Sequence, residues 1–178
     1  MGDRRLKQRA ATRGFTLIEM LVVIAIIAIL AGLIVTTLAT ARKHAAIKRQ
    51  QAAIDLIEKA YIEHYVTDFS EYPASDGDKE GIQGNELLLK ALLTKEKDGP
   101  YLHIKEIRTG DSNGNGLKEI LDEWGNPLRY QHHRDYGKEP PNKHSFRLWS
   151  CGPNGVNEWA EPNSDDIRNW KPGQEEDE

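Results

Sequence analysis

FTLIEMLVVIAIIAILAGLIVTTLAT, residues 15–40, is the stretch on which the reading of this chain turns. Its 26 residues hold a single charge, Glu19. A bilayer core of about 30 Å needs roughly 20 apolar residues in helix, so the run is long enough to span one. Ile and Val are frequent in it, yet a lone segment in lipid can satisfy its backbone only as a helix. Cleaved secretory signals have an apolar core of roughly 7–15 residues, and this run is much longer, although Ala39-Thr40-Ala41 would suit a signal peptidase. Length and hydropathy alone leave a plain signal anchor open.

Toward the N-terminus, Arg4, Arg5, Lys7, Arg9 and Arg13 against Asp3 give residues 1–14 a net charge of +4. The whole chain is −4, which leaves −8 for residues 15–178. This asymmetry predicts a cytoplasmic N-terminus with the C-terminal domain outside. It also leaves no evident basic surface downstream, so nucleic acid is not an expected partner. Two local features argue against a plain anchor. Arg13-Gly14-Phe15 sits where the basic head meets the apolar run, a place where secretory signals are not cut. Glu19 lies inside the run, where an ionised carboxylate costs ~2.5–3.5 kcal/mol on insertion scales and marks a functional site. A cut just before Phe15 would free an α-amine on a neighbouring copy. That amine could pair with Glu19 and set an axial register between subunits.

RGFTLIEMLVVIAIIAILAGL resembles the processing and methylation motif of type IV prepilins and type II secretion pseudopilins. The resemblance implies a prepilin peptidase that cuts between Gly14 and Phe15 and methylates the new Phe15 amine. Glu19 falls on the family's assembly glutamate, and Thr16 and Leu17 also fit. The implied organisation is a basic leader over 1–14, a transmembrane half-helix over 15–40, an amphipathic half over 41–69 and a periplasmic domain over 70–178. The implied partners are further copies of the chain, minor pseudopilins, the peptidase, an inner-membrane assembly platform, a secretin and the bilayer.

Beyond the apolar run, Ile47, Ile54, Ile57, Tyr61 and Tyr65 recur at helical spacing. Neither Gly nor Pro interrupts residues 33–72, and Pro73 supplies a stop. The pattern predicts one helix from about Phe15 to about Phe69, roughly 80 Å long, with Gly32 its one weak point. Asn85–Leu93 reads as a short helix with Asn85 at its N-cap. PYLHIKEI (100–107), PLRYQHH (127–133) and FRLWS (146–150) read as strands. The expected fold is α+β and pilin-like, a long N-terminal helix packed on a small antiparallel sheet.

DEWGNPLRY, FRLWSCGPNG and DDIRNW together resemble the major, G-type pseudopilin of type II secretion. Family members bind calcium in this C-terminal loop, which implies a Ca²⁺ site using Asn154, Asp165 and Asp166. Here Asn154 replaces the family's loop aspartate, and QHHRDYGKEPPNKHS (131–145) is longer than the usual connection. A second cation loop is suggested by Asp111, Asn113, Asn115 and Asp122 in DSNGNGLKEILD, although Asn-Gly repeats are equally turn chemistry.

Cys151 is the only cysteine, so no intrachain disulfide can form, and the C-terminal loop cannot be closed by a cysteine pair as in many type IV pilins. Adjacent His132 and His133 on a strand would face opposite ways, and His103 and His144 stand without metal-ligand spacing. No nucleophile elbow, phosphate loop or dinucleotide fingerprint occurs, so an enzyme is not expected. The leading expectation is a filament subunit that drives protein export across the outer membrane. The rivals are a type IV pilin or minor pilin and, more remotely, a signal-anchored periplasmic enzyme or binding domain.

Overall fold

The computed structural model describes residues 14–77, 81–103, 105, 107–136, 145–161 and 163–170, without the side chains of 33–37. The leader over 1–13, His144 and most of the 131–145 extension lie outside the described residues. The chain divides into two compact units, Met1–Lys43 and His44–Glu178.

The expected long helix is present as three joined pieces. α1 spans Leu17–Leu56, a π-helical segment follows over Ile57–Ile62, and α2 covers Glu63–Phe69. α1 runs through Gly32 without a break, so the weak point expected there does not interrupt it. In the first unit its apolar side chains face outward: Leu17, Ile18, Ile24 and Ile29 are all more than half exposed. No helix is long and apolar enough to cross a membrane among the described residues. Described side chains of α1 run unbroken only from Leu17 to Gly32. That is short of the roughly 20 residues a span needs, so the expected crossing over 15–40 rests on sequence alone.

The second unit is α+β. The helix buries Ile54, Ile57, Tyr61 and Ile62 against Leu88 and Leu92 of α3 (Ile82–Leu92) and Leu148 of the sheet. Burying both Tyr61 and Ile62, adjacent in sequence, suits the wider π turn, since an α turn rotates neighbours further apart. A two-stranded ribbon joins β1 (Thr109–Gly110) to β2 (Glu119–Ile120). A three-stranded antiparallel sheet has the order β3-β4-β5, with β3 at Arg129–His132, β4 at Phe146–Ser150 and β5 at Ile167–Arg168. All five β4 residues are buried.

Three expectations are corrected. α3 begins at Ile82 behind Gly81 (φ +71°), so Asn85 is not its cap. Instead the fully buried Asn85 amide takes the Ile120 N–H at 2.9 Å and donates to the Ile120 and Leu128 carbonyls at 2.9 and 2.7 Å. The described residues of 100–107 form no strand, because Tyr101 and Leu102 both donate their N–H to the Leu92 carbonyl and wrap back on α3. His132 and His133 do not face opposite ways. β3 ends at His132 and the helical turn α4 (His133–Tyr136) starts at once, leaving the two rings 4.3 Å apart.

Candidate functional site

At the start of α1, Thr16 and Glu19 hold each other reciprocally. The Thr16 N–H and hydroxyl both donate to Glu19 Oε2 at 2.8 Å, and the Glu19 N–H donates to Thr16 Oγ1 at 3.3 Å. This is a capping box, in which two amides left unpaired by the helix geometry are satisfied from the chain itself. Sequence reasoning passed over it, although Thr-x-x-Glu before an apolar run is its signature. Glu19 Oε1 makes no hydrogen bond to a described residue. Gly14 and Phe15 precede the helix in irregular, exposed chain, and nothing lies within 4 Å of where a Gly14 Cβ would stand. The junction is therefore exposed and uncrowded.

The C-terminal loop is fixed at both ends. Trp149 Nε1 donates to Asn157 Oδ1 at 2.9 Å, and the Ser150 hydroxyl donates to Asp122 Oδ2 at 2.7 Å and accepts from the Gly152 N–H at 3.1 Å. Gly152 adopts φ +64°, and a Cβ there would meet Asp165 Oδ1 at 2.8 Å, so only glycine lets the strands approach this closely. Asn154 Oδ1 accepts from the Val156 N–H at 2.7 Å, and its amide donates to Glu158 Oε2 at 3.0 Å. Glu158 in turn donates its N–H to Asp166 Oδ2 at 3.1 Å. The structure therefore links Asn154 to Asp166 through Glu158, a residue that sequence reasoning did not single out.

Asp165 Oδ1 and Asp166 Oδ1 are both buried without a hydrogen-bond partner. Asp166 is 8% exposed, and burial raises its carboxyl above the ordinary range, opposed by the Glu158 amide bond. Orphaned carboxylate oxygens are costly unless a cation meets them. The donor set suits a hard, oxygen-seeking ion such as calcium, with carbonyl oxygens completing the shell. Among the described residues no three His, Cys, Asp or Glu side chains converge on one point, so carboxylates alone do not build the site.

The loop at 111–116 is arranged differently. Asp111 Oδ1 accepts from the Gly114 and Asn115 N–H groups and Oδ2 from Gly116, while Asn113 and Asn115 both donate to Glu86 Oε1. Asp122 is engaged elsewhere, accepting from the Trp124 and Asn126 N–H groups at 2.9 and 2.8 Å and from Ser150. The four residues named there are not joined by these bonds into one constellation.

The other titratable cluster surrounds His132. Its Nδ1 accepts the Arg134 N–H at 3.0 Å, which leaves Nε2 protonated and 3.7 Å from Glu71. Burial, with positive charge at His133 and Arg134, lowers its pKa. Cys151 is 1% exposed, and burial pushes its thiol up.

Residues 9–35 match the family described as the prokaryotic N-terminal methylation motif. Over 163 residues the chain is 32% identical to the type II secretion system core protein G of Pseudomonas aeruginosa, covering 92% of this chain and 98% of that protein. It is 32% identical to core protein G of Klebsiella pneumoniae over 90% of this chain and 96% of that protein. For Vibrio cholerae core protein G the identity is 30%, over 93% and 96% of the two chains. With a capped helix start in the matched motif and an α+β domain behind it, the chain belongs to the type II secretion core protein G family of pseudopilins.

Proposed function

We propose that this chain is a structural subunit of a type II secretion pseudopilus. It is cut by prepilin peptidase between Gly14 and Phe15, methylated on the Phe15 amine, and polymerised to drive proteins across the outer membrane. The observation that carries this reading is the Thr16–Glu19 box within the methylation motif. Cleavage before Phe15 leaves the Thr16 N–H in place, so the cap survives processing. Glu19 Oε1 remains available for a second copy's Phe15 ammonium, and a pair in low dielectric is strongly attractive. Before assembly the 15–40 run holds the subunit in the inner membrane, with the second unit on the periplasmic side. Its partners are other copies, minor pseudopilins, the assembly platform and the secretin.

Calcium would be held by Asp165 and Asp166, with the Asn154 carbonyl as a weaker neutral ligand. It would supply charge neutralisation for two buried oxygens and so stiffen the loop. Isothermal titration with CaCl₂ that gave no heat in the full-length protein, and equally none in an Asp166→Asn control, would remove this site.

Intact mass measured with and without the peptidase tests the processing. Loss of residues 1–14 and gain of one methyl group, only with the peptidase, is the expected result. Glu19→Ala should be cut normally yet give few filaments. An uncut chain, or a cut near Ala41, would restore the anchored-domain reading.

A further inference from the structure

The sequence contains three Asn-Gly pairs, Asn113-Gly114, Asn115-Gly116 and Asn154-Gly155, and all six residues are exposed. An asparagine before glycine is chemically labile, because no Cβ shields the next backbone nitrogen from the asparagine amide carbon. The three side chains are held alike. Each Oδ1 accepts the N–H two residues on, from Asn115 at 3.0 Å, Leu117 at 2.8 Å and Val156 at 2.7 Å. That donor polarises the side-chain carbonyl and faces the oxygen on which charge builds during attack. Each amide nitrogen donates to a glutamate, Asn113 and Asn115 to Glu86 Oε1 and Asn154 to Glu158 Oε2.

They differ in what holds the attacking nitrogen. The Gly114 N–H donates to Asp111 Oδ1 at 2.7 Å and the Gly116 N–H to Asp111 Oδ2 at 2.9 Å. The Gly155 N–H donates to the Gly152 carbonyl at 3.3 Å, beyond the usual length of such a bond. A backbone nitrogen must lose its proton to attack. A carboxylate holds that proton more strongly than a neutral carbonyl does, and its charge opposes the anion that deprotonation leaves.

We propose that Asn154 is a site of spontaneous deamidation and that Asp111 guards Asn113 and Asn115 against the same reaction. The Gly155 nitrogen bonds to Asn154 Cγ, the Cγ–Nδ2 bond breaks, and ammonia leaves with the glycine proton. Water then opens the cyclic imide at either carbonyl and leaves an aspartyl or isoaspartyl residue at position 154. Nothing is oxidised or reduced. The product has no amide to donate to Glu158 and sets a second carboxylate against it. The C-terminal loop thus gains a negative charge after synthesis, whether or not the chain polymerises.

The test ages the full chain, folded in detergent, in heavy-oxygen water at mildly alkaline pH, and maps its peptides by mass spectrometry after acidic digestion. The water that opens the imide leaves a heavy oxygen, so the label counts events in the folded protein. Label at 154 should exceed that at 113 or 115 by about fivefold or more, the margin of a charged over a neutral hydrogen bond. Asp111→Ala should raise 113 and 115 to the level of 154. Asp111→Asn keeps an oxygen for the Gly114 N–H and loses the one for Gly116, so it should release Asn115 alone. In urea the three rates should converge. Equal labelling of the three sites in the folded parent, or no gain at 113 and 115 in Asp111→Ala, would overturn the proposal. So would a position 154 that takes up label in urea but not when folded, which would show that the loop guards Asn154 as well.

Discussion

Glu58 is the residue where local chemistry and the helix geometry meet. It stands in the π-helical segment, and burial raises its carboxyl above the ordinary value, partly offset by a hydrogen bond from Asn169. A carboxyl whose folded pKa exceeds its unfolded value binds its proton more tightly when folded. Its ionisation therefore erodes stability as pH rises above about 4.5, the unfolded value. Glu58→Gln should match the parent near pH 4 and melt higher at pH 7 in detergent-solubilised protein. Equal melting temperatures at pH 7 would show that Glu58 is not strained by its surroundings. The methylation motif that contains Gly14, Phe15 and Glu19 was legible because its spacing is local and fixed. Asn85 was misread because its three backbone partners lie 35 and 43 residues away, and nothing near it in sequence points to them.

At the scale of elements, α3 meets β3 backbone to backbone at Gly84. A Cβ there would overlap the Tyr130 carbonyl and stand 3.0 Å from Ser75 Cβ. Alanine favours a helix interior over glycine by about 1 kcal/mol, yet a forced backbone shift costs about 1–3 kcal/mol. Gly84→Ala should therefore destabilise on balance, lowering the urea midpoint, and an unchanged or raised midpoint would contradict the close approach. The helical half of the fold was legible from the 3.6-residue recurrence of Ile47, Ile54, Ile57, Tyr61 and Tyr65. The π-helical segment was not, because no Gly or Pro marks it. Strand β4 was found from the aromatic and apolar residues of FRLWS, but β1, β2 and β5 are two residues each and too short to leave a period. Residues 100–107 looked like a strand for their alternation and were claimed by the end of α3 instead.

For the molecule as a whole, every residue of the main apolar cluster lies between Ile47 and Ile167. Among the described residues none comes from the first unit, so the second unit has a core of its own. A fragment from His44 to Glu178 should unfold in a single cooperative transition and stay monomeric without detergent. A broad transition with dye-binding apolar surface would mean that the first unit completes the core. The candidate calcium loop was half legible: the resemblance supplied Asp165 and Asp166, while Glu158 and the Gly152 approach arise only when β4 and β5 come together.

Cys151 gives such a chain an internal clock. Its thiol is closed off in the folded domain and, being single, has no intrachain partner. An alkylating reagent can reach it only when the domain opens, so the modification rate counts opening events rather than surface encounters. In a filament that is pushed against cargo, that rate would report how often a subunit yields under load, with no residue of the chain replaced.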